Sequence, residues 1–409
     1  MAILYGNAVV GQSGGPSSAI NATLSGVIRG VFASGETIGT LYGMKNGIEG
    51  LLAENLVNLN ERIKGEEELA SLELTPAAAL GSCRLKLPNP TKEKAIFDKL
   101  RSVFEKYNIR YFFYIGGNDS MDAVCKLNAY FKETDYEIRV IGVPKTIDND
   151  LAGTDHSPGF PSAAKYVATT VKEIVRDCAV YTVPAVTIVE IMGRDAGWLA
   201  TAAALPSLVG CGPDLIYFPE RPFSPSSFLE HLRRALALHP NVVVAVSEGC
   251  LFENGRYVGE GQQNGLSDAF GHRYLSGTGK VLEALVKEEL KCKTRSIELS
   301  LPQRCAAHLA SLTDIKESVA IGKGAVTAAI MGETGKMMGF KRVSDAPYSV
   351  KVEPVPVEEV ANVVRYLPAN FINEAGNGVT EACLAYLAPL IEGEVKPVYE
   401  YGMPKHFVI

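Results

Sequence analysis

Several short runs of β-branched and aromatic residues in this chain each stop at a glycine or polar turn and then give way to an apolar pattern of helical period. This repeated βα unit constrains the fold more than any other feature, and it predicts an α/β protein built on a parallel sheet. Asn7 to Gly11 precedes the turn Ser13-Gly14-Gly15-Pro16-Ser17, after which Ala19 to Val31 sets Ile20, Leu24, Val27 and Val31 on one helical face, with Ser17 or Ser18 as the expected cap. A second unit repeats the layout: Arg110 to Ile115, then Gly116-Gly117-Asn118-Asp119-Ser120, then a helix from near Met121. Three further strands are read over Arg139–Val143, Ala185–Ile191 and Asn241–Ser247. They deliver Pro144 to Asp150, Met192-Gly193-Arg194-Asp195 and Glu248-Gly249 to the carboxyl ends of the strands, where open α/β sheets bind ligands.

The length of 409 residues suggests two or three domains. A glycine- and proline-rich stretch from Gly153 to Pro161 marks the expected first crossing between them. Glu54 to Glu73 and Glu253 to Gly279 read as surface insertions, and the chain from near Pro347 reads as a strand, a helix near Val357 to Tyr366 and a proline-rich end. With a net charge of −6, the chain gives no sign of a nucleic-acid or anionic-membrane partner, so a phosphorylated ligand needs local positive charge. The eight cysteines form no Cys-x-x-Cys pair, and neither a leader nor a bilayer-length apolar run is present. Reduced thiols and a cytoplasmic location are the expectation.

Each glycine-rich turn presents backbone N–H groups at a helix start, which favours phosphate oxygens. Such turns are also common without ligands, and neither follows the Walker spacing or the Gly-x-Gly-x-x-Gly dinucleotide spacing. The segment Pro144 to Asp150 is more informative, because it places two carboxylates and an amine at a strand end. Phosphoryl transfer needs a carboxylate for the acceptor hydroxyl's proton, a cation for the migrating group and in-line positioning; Asp148, Lys145 and a bound Mg²⁺ answer that description. A solvated turn with Asn149 or Asp150 as a cap is the alternative.

Taken in order, Gly-Gly-Pro-Ser-Ser-Ala-Ile-Asn, Gly-Gly-Asn-Asp-Ser, Pro-Lys-Thr-Ile-Asp-Asn-Asp, Met-Gly-Arg and Ser-Glu-Gly resemble the phosphofructokinase family, over about Asn7 to Ile330. The resemblance implies two Rossmann-like three-layer α/β/α domains with mostly parallel sheets and the active site in the cleft between them. A donor domain would comprise residues 1–155 plus roughly 303–345, a fructose 6-phosphate domain residues 156–302, and an extension residues 346–409, packing on both. Asp148 would be the base for the sugar 1-hydroxyl, with Lys145, Thr146 and Asp150 beside it. Gly14, Gly15, Arg84, Gly117, Asp119 and Ser120 would meet the donor phosphates. Thr146, Asp148, Met192, Gly193, Arg194, Glu248, Arg295 and Arg304 would bind fructose 6-phosphate, the arginines through forked hydrogen bonds.

Two positions point to the donor. ATP users of the family typically carry glycine where this chain has Asp119, and at about 4 Å a carboxylate repels a phosphate by on the order of 4 kcal/mol near a protein surface. Lys145 also marks pyrophosphate users by resemblance, so inorganic pyrophosphate is the expected donor, in a reversible reaction of glycolysis and gluconeogenesis. The chain departs from the family pattern at Asn118, the expected metal position, where an aspartate usually helps to hold Mg²⁺, at Leu301, where many members have histidine or tyrosine, and at Ala185. Arg295 is of the kind that family members supply from a neighbouring subunit, so at least a dimer is expected, a homodimer or homotetramer. An ATP-dependent phosphofructokinase, a related ketose-phosphate kinase and a non-catalytic regulatory subunit are the competing readings.

Overall fold

The computed structural model describes residues 3–260, 275 and 277–409. In chain order, the first stretch forms β1 (Gly6–Gln12), α1 (Ile20–Phe32), β2 (Ile38–Met44), α2 (Gly47–Leu52), β3 (Leu56–Asn58), α3 (Leu59–Arg62), α4 (Glu66–Glu73), α5 (Lys94–Lys106), β4 (Ile109–Gly116), α6 (Asn118–Lys132) and β5 (Arg139–Pro144). A second stretch forms α7 (Phe160–Cys178), β6 (Ala185–Ile191), α8 (Trp198–Thr201), β7 (Leu215–Tyr217), α9 (Pro225–Leu238), β8 (Asn241–Ser247), α10 (Thr278–Leu290) and β9 (Lys293–Glu298). The chain then returns through α11 (Pro302–Cys305), α12 (Leu312–Ile330), β10 (Lys336–Asp345), β11 (Tyr348–Pro356) and α13 (Glu381–Leu387).

Two sheets result. The seven-stranded sheet has the order β11-β10-β5-β4-β1-β2-β3, parallel except for the antiparallel edge strands β3 and β11. The four-stranded sheet, β7-β8-β6-β9, is wholly parallel. Strands buried on both faces explain the unbroken apolar runs. In the first sheet, Val10, Phe113 and Ile141 face α1 and α12, while Val9, Phe112 and Val140 face α5 and α6, so each face carries its own core. Likewise, Val189 and Val243 of the second sheet face α7 and α8, and Ile188 and Val244 face α9 and α10.

The structure corrects several local expectations. Neither Ser17 nor Ser18 caps α1, which starts after Ala19 with no side-chain cap, and α6 starts at Asn118 rather than near Met121. Residues 54–73 are not a surface insertion: β3 extends the first sheet, and Leu59, Leu69 and Leu72 are buried in its core. The charges that suggested an insertion lie on the outer face, where Arg29 pairs with Glu66 and Glu73. The other expected insertion, Glu253 to Gly279, falls largely outside the described residues. Of the expected helix near Val357 to Tyr366, only Val357–Glu359 is helical, as a short 3₁₀ segment; turns follow to Asn362, and no helix continues to Tyr366. Among the described residues, no helix is long and apolar enough to cross a membrane.

Candidate active site

The chain order reverses around β1, which lies between β2 and β4, so a crevice opens at the carboxyl ends of β1 and β4. Both glycine-rich turns enter it. Gly14 takes φ +74°, a left-handed conformation that suits glycine. Gly116 allows the Ser120 side chain to come so close that a Cβ would stand 1.9 Å from its Oγ. The turns are tied together by Ser13 Oγ and Ser120 Oγ at 2.9 Å, and Ser82 Oγ donates to Gly14 O at 2.6 Å, bringing Arg84 to the same place.

The loop after β5 crosses this crevice toward the second sheet. Lys145 is 3% exposed, and its Nζ donates to Gly15 O, joining the loop to the first turn. Thr146 Oγ1 accepts the Asp148 N–H at 3.1 Å. Between the two carboxylates, Asn149 adopts φ 55° and is fixed by the Ser157 N–H, which donates to its Oδ1 at 2.9 Å. That buried asparagine turns Asp148 and Asp150 into the cleft.

From the second sheet come Met192, Gly193 and Arg194 after β6 and Glu248 after β8. Glu248 Oε1 accepts from the N–H groups of Gly193 and Arg194, and Gln303 Oε1 accepts from that of Met192 at 3.2 Å. Arg304, on α11, stands over the first turn, with its Nη1 3.2 Å from where a Cβ on Gly15 would be. Together these groups line one cleft of about 370 Å³ between the two sheets.

Burial dominates the electrostatics. It pushes the Asp148 carboxyl up against the pull of Arg194, Lys145 and Arg304. Asp150 rises to about 6, through burial and then the charge of Asp148, and Glu248 rises to about 8 for the same two reasons. Lys145 falls to about 8 because burial outweighs its attraction to Asp148 and Asp150. Burial also lowers Arg304, and Arg84 adds to this. The cleft therefore gathers Lys145, Arg84 and Arg304 around the first glycine turn and holds two acids, Asp150 and Glu248, whose proton affinities lie close to neutral pH.

Of the residues expected in a site, Gly14, Gly15, Arg84, Gly117, Asn118, Asp119, Ser120, Lys145, Thr146, Asp148, Asp150, Met192, Gly193, Arg194, Glu248 and Arg304 line this cleft. Arg295 does not. It is exposed on β9 beside Lys293 and Asn241, in a separate hollow near the amino ends of β6 and β8. Asn118, the expected metal position, is engaged by a distant segment: its Oδ1 accepts from Asn362 N at 2.5 Å and its Nδ2 donates to Val363 O at 2.7 Å. Lys86, Asp195, Asn362 and Val364 line the cleft without having been anticipated. Lys86 is two residues from Arg84, and Asp195 closes the Met192–Asp195 turn already expected at the end of β6; Asn362 and Val364 carry no local signal.

The phosphofructokinase family model matches residues 7–329. The chain is 41% identical to the pyrophosphate–fructose 6-phosphate 1-phosphotransferase of Halomonas elongata, covering 98% of this chain and 95% of that one. It is 42% identical to the protein of the same name from Xanthomonas campestris pv. campestris, with the same coverage. The crystal structure of a pyrophosphate-dependent phosphofructokinase from Nitrosospira multiformis superposes with a TM-score of 0.89 at 37% identity, covering 98% of this chain and 96% of that one. On its sequence, its two parallel-sheet layers and the cleft between them, this chain belongs to the phosphofructokinase family.

Proposed function

We propose that this chain transfers a phosphoryl group from inorganic pyrophosphate to the 1-hydroxyl of fructose 6-phosphate, giving fructose 1,6-bisphosphate and phosphate. The observation that carries the donor assignment is Asp119, whose carboxylate lines the donor wall of the cleft beside the second glycine turn. It opposes the α-phosphate of a nucleotide, whereas a two-phosphate donor fits between the turns, and the names of the similar proteins agree.

In this reading Asp148 accepts the proton of the 1-hydroxyl as O1 bonds to the transferring phosphorus, and the bridging P–O bond breaks to release phosphate. Burial makes Asp148 a stronger base than an exposed carboxylate. Lys145 and Arg84 neutralise the donor and the departing phosphate, while Thr146 and Asp150 keep the loop in line. Arg194, held by Glu248, and Arg304 bind the sugar phosphate, and Arg295 is assigned to a neighbouring subunit's cleft in a homo-oligomer. Donor and product phosphates are close in energy, so the reaction is proposed to run in both directions.

Among the described residues, no group of three or more His, Cys, Asp or Glu is placed to hold a metal ion, and the Asn118 amide is already engaged. A divalent ion, proposed to be Mg²⁺, would be held mainly by pyrophosphate oxygens and water, with at most one or two carboxylates of Asp119, Asp148 and Asp150. Bound there, such an ion would neutralise charge on the donor. All eight cysteines are free thiols, which suits a reducing compartment such as the cytoplasm. Turnover of the purified protein with pyrophosphate and with ATP, read as fructose 1,6-bisphosphate formed, tests the proposal; a preference for ATP would reject it.

A further inference from the structure

The segment from Asn362, which takes φ 63°, through Leu367 is bonded to α6, to the loop after β5 and to Trp198 and Glu220 beside the second sheet, and no step of phosphoryl transfer derived above uses it. At one end it engages α6: Asn362 N and Val363 O bond both polar atoms of the Asn118 amide, and Asn362 Nδ2 donates to Asp122 Oδ1 at 3.1 Å. In the middle, Val364 pairs with Leu151, and Arg365 donates through its N–H to Asp150 O at 2.8 Å and through Nη1 to Asn149 O at 3.4 Å. At the other end, Trp198 Nε1 donates to Arg365 O at 3.0 Å, and the Leu367 N–H donates to Glu220 Oε1 at 2.9 Å. The six-residue segment is thus fastened, through five of its residues, to α6, to the backbone on either side of Asp150 and to Trp198 and Glu220.

Asn362 and Val364 form part of the cleft lining next to Asn118 and Asp119. Neither side chain, a carboxamide and an isopropyl group, carries a charge. The one charged residue of the segment, Arg365, stacks its guanidinium on Trp198, 4.1 Å from the ring centroid. A donor longer than two phosphoryl groups therefore meets the Asp119 carboxylate and then a wall of these two uncharged residues.

We propose that Asn362–Leu367 is a strap that closes the donor half of the cleft and sets the length of the inorganic donor it accepts, admitting pyrophosphate and excluding tripolyphosphate. This rests on the reading that the two glycine turns hold an inorganic donor. It adds a second determinant of specificity to Asp119, supplied from far along the chain and acting by shape and by lack of counter-charge.

The test compares kcat/KM for tripolyphosphate and pyrophosphate in the unmodified protein, in an Asn362→Gly/Val364→Gly double variant and in Asn118→Ala, which unfastens the strap without changing its sequence. The expected ratio of tripolyphosphate to pyrophosphate is below about 1:100 in the unmodified protein and rises by about tenfold or more in the double variant, with a smaller rise in Asn118→Ala. The proposal is overturned if the unmodified protein uses both donors equally, or if the double variant, folded by circular dichroism, keeps the original ratio. Should the double variant fail to fold, an unchanged ratio in Asn118→Ala overturns it. Both donors here are inorganic, so a failure of the pyrophosphate reading shows separately, as a preference of the unmodified protein for ATP.

Discussion

Glu248, at the end of β8, accepts the backbone N–H of Arg194 at 3.2 Å, so a carboxylate on one strand fixes the loop that follows its neighbour, β6. The pair links the acceptor side of the cleft to pH. With Glu248 at about 8 in the folded protein against an ordinary 4.5, the native state holds an extra proton between those values. Its contribution to stability is therefore present at low pH and lost as pH rises through about 8. Asp150, at about 6, acts in the same direction over a narrower range. Lys145, lowered to about 8 from 10.5, acts oppositely and returns stability only above pH 8. Calorimetry is expected to show Tm falling between pH 5 and pH 8, with a flatter slope in Glu248→Gln; an identical slope in that variant would contradict the assignment.

Replacing Asp148 by Asn removes the proposed base while preserving shape. kcat is expected to fall by about 10²–10⁴-fold, with KM for either substrate changed by less than about threefold. Steady-state kinetics in the forward and reverse directions check this, and a kcat within tenfold of the original would displace Asp148 from that role.

Lys145 predicts the alkaline side of the rate profile. Because its pKa is lowered to about 8, kcat/KM for pyrophosphate should decline above pH 8 as the ammonium loses its proton. Lys145→Arg should move that limb upward, and Lys145→Met should cost about 10²-fold or more at pH 7. A limb unmoved in Lys145→Arg would assign the titration to another group.

Asp119→Gly removes the carboxylate opposed to a nucleotide α-phosphate. ATP turnover is expected to rise by about tenfold or more, yet to stay below that with pyrophosphate, because the 362–367 strap still walls the donor site. Equal use of both donors by this single variant would make Asp119 the whole of the discrimination.

Arg295 lies outside the cleft of its own chain, so its proposed role requires a neighbour. Light scattering on an active sample should give at least a dimer, and Arg295→Ala should raise KM for fructose 6-phosphate with little change in KM for pyrophosphate. An active monomer would remove the residue from the site.

Which parts of this architecture were legible in the sequence follows from how local their causes are. The strands and glycine turns were readable because each turn directly follows its strand, and Pro144 to Asp150 was readable because two carboxylates and an amine at a strand end have few structural uses. The fastening of Asn118 was not readable because its partners, Asn362 and Val363, lie more than 240 positions away. The expected helix over 357–366 fails because Val360 is buried in the core of one sheet and Leu367 in that of the other, so the chain between them leaves one core for the other. At 54–73 the charge count hid the leucines that hold the segment in the first core.

The chain contains a single tryptophan, and its indole N–H is bonded to the carbonyl of Arg365 while that residue's guanidinium covers the ring. Light emitted on selective excitation of the indole thus originates at the junction of catalytic loop, second sheet and strap. Without any attached dye, the molecule carries a gauge of whether that junction stays shut while substrates enter and products leave.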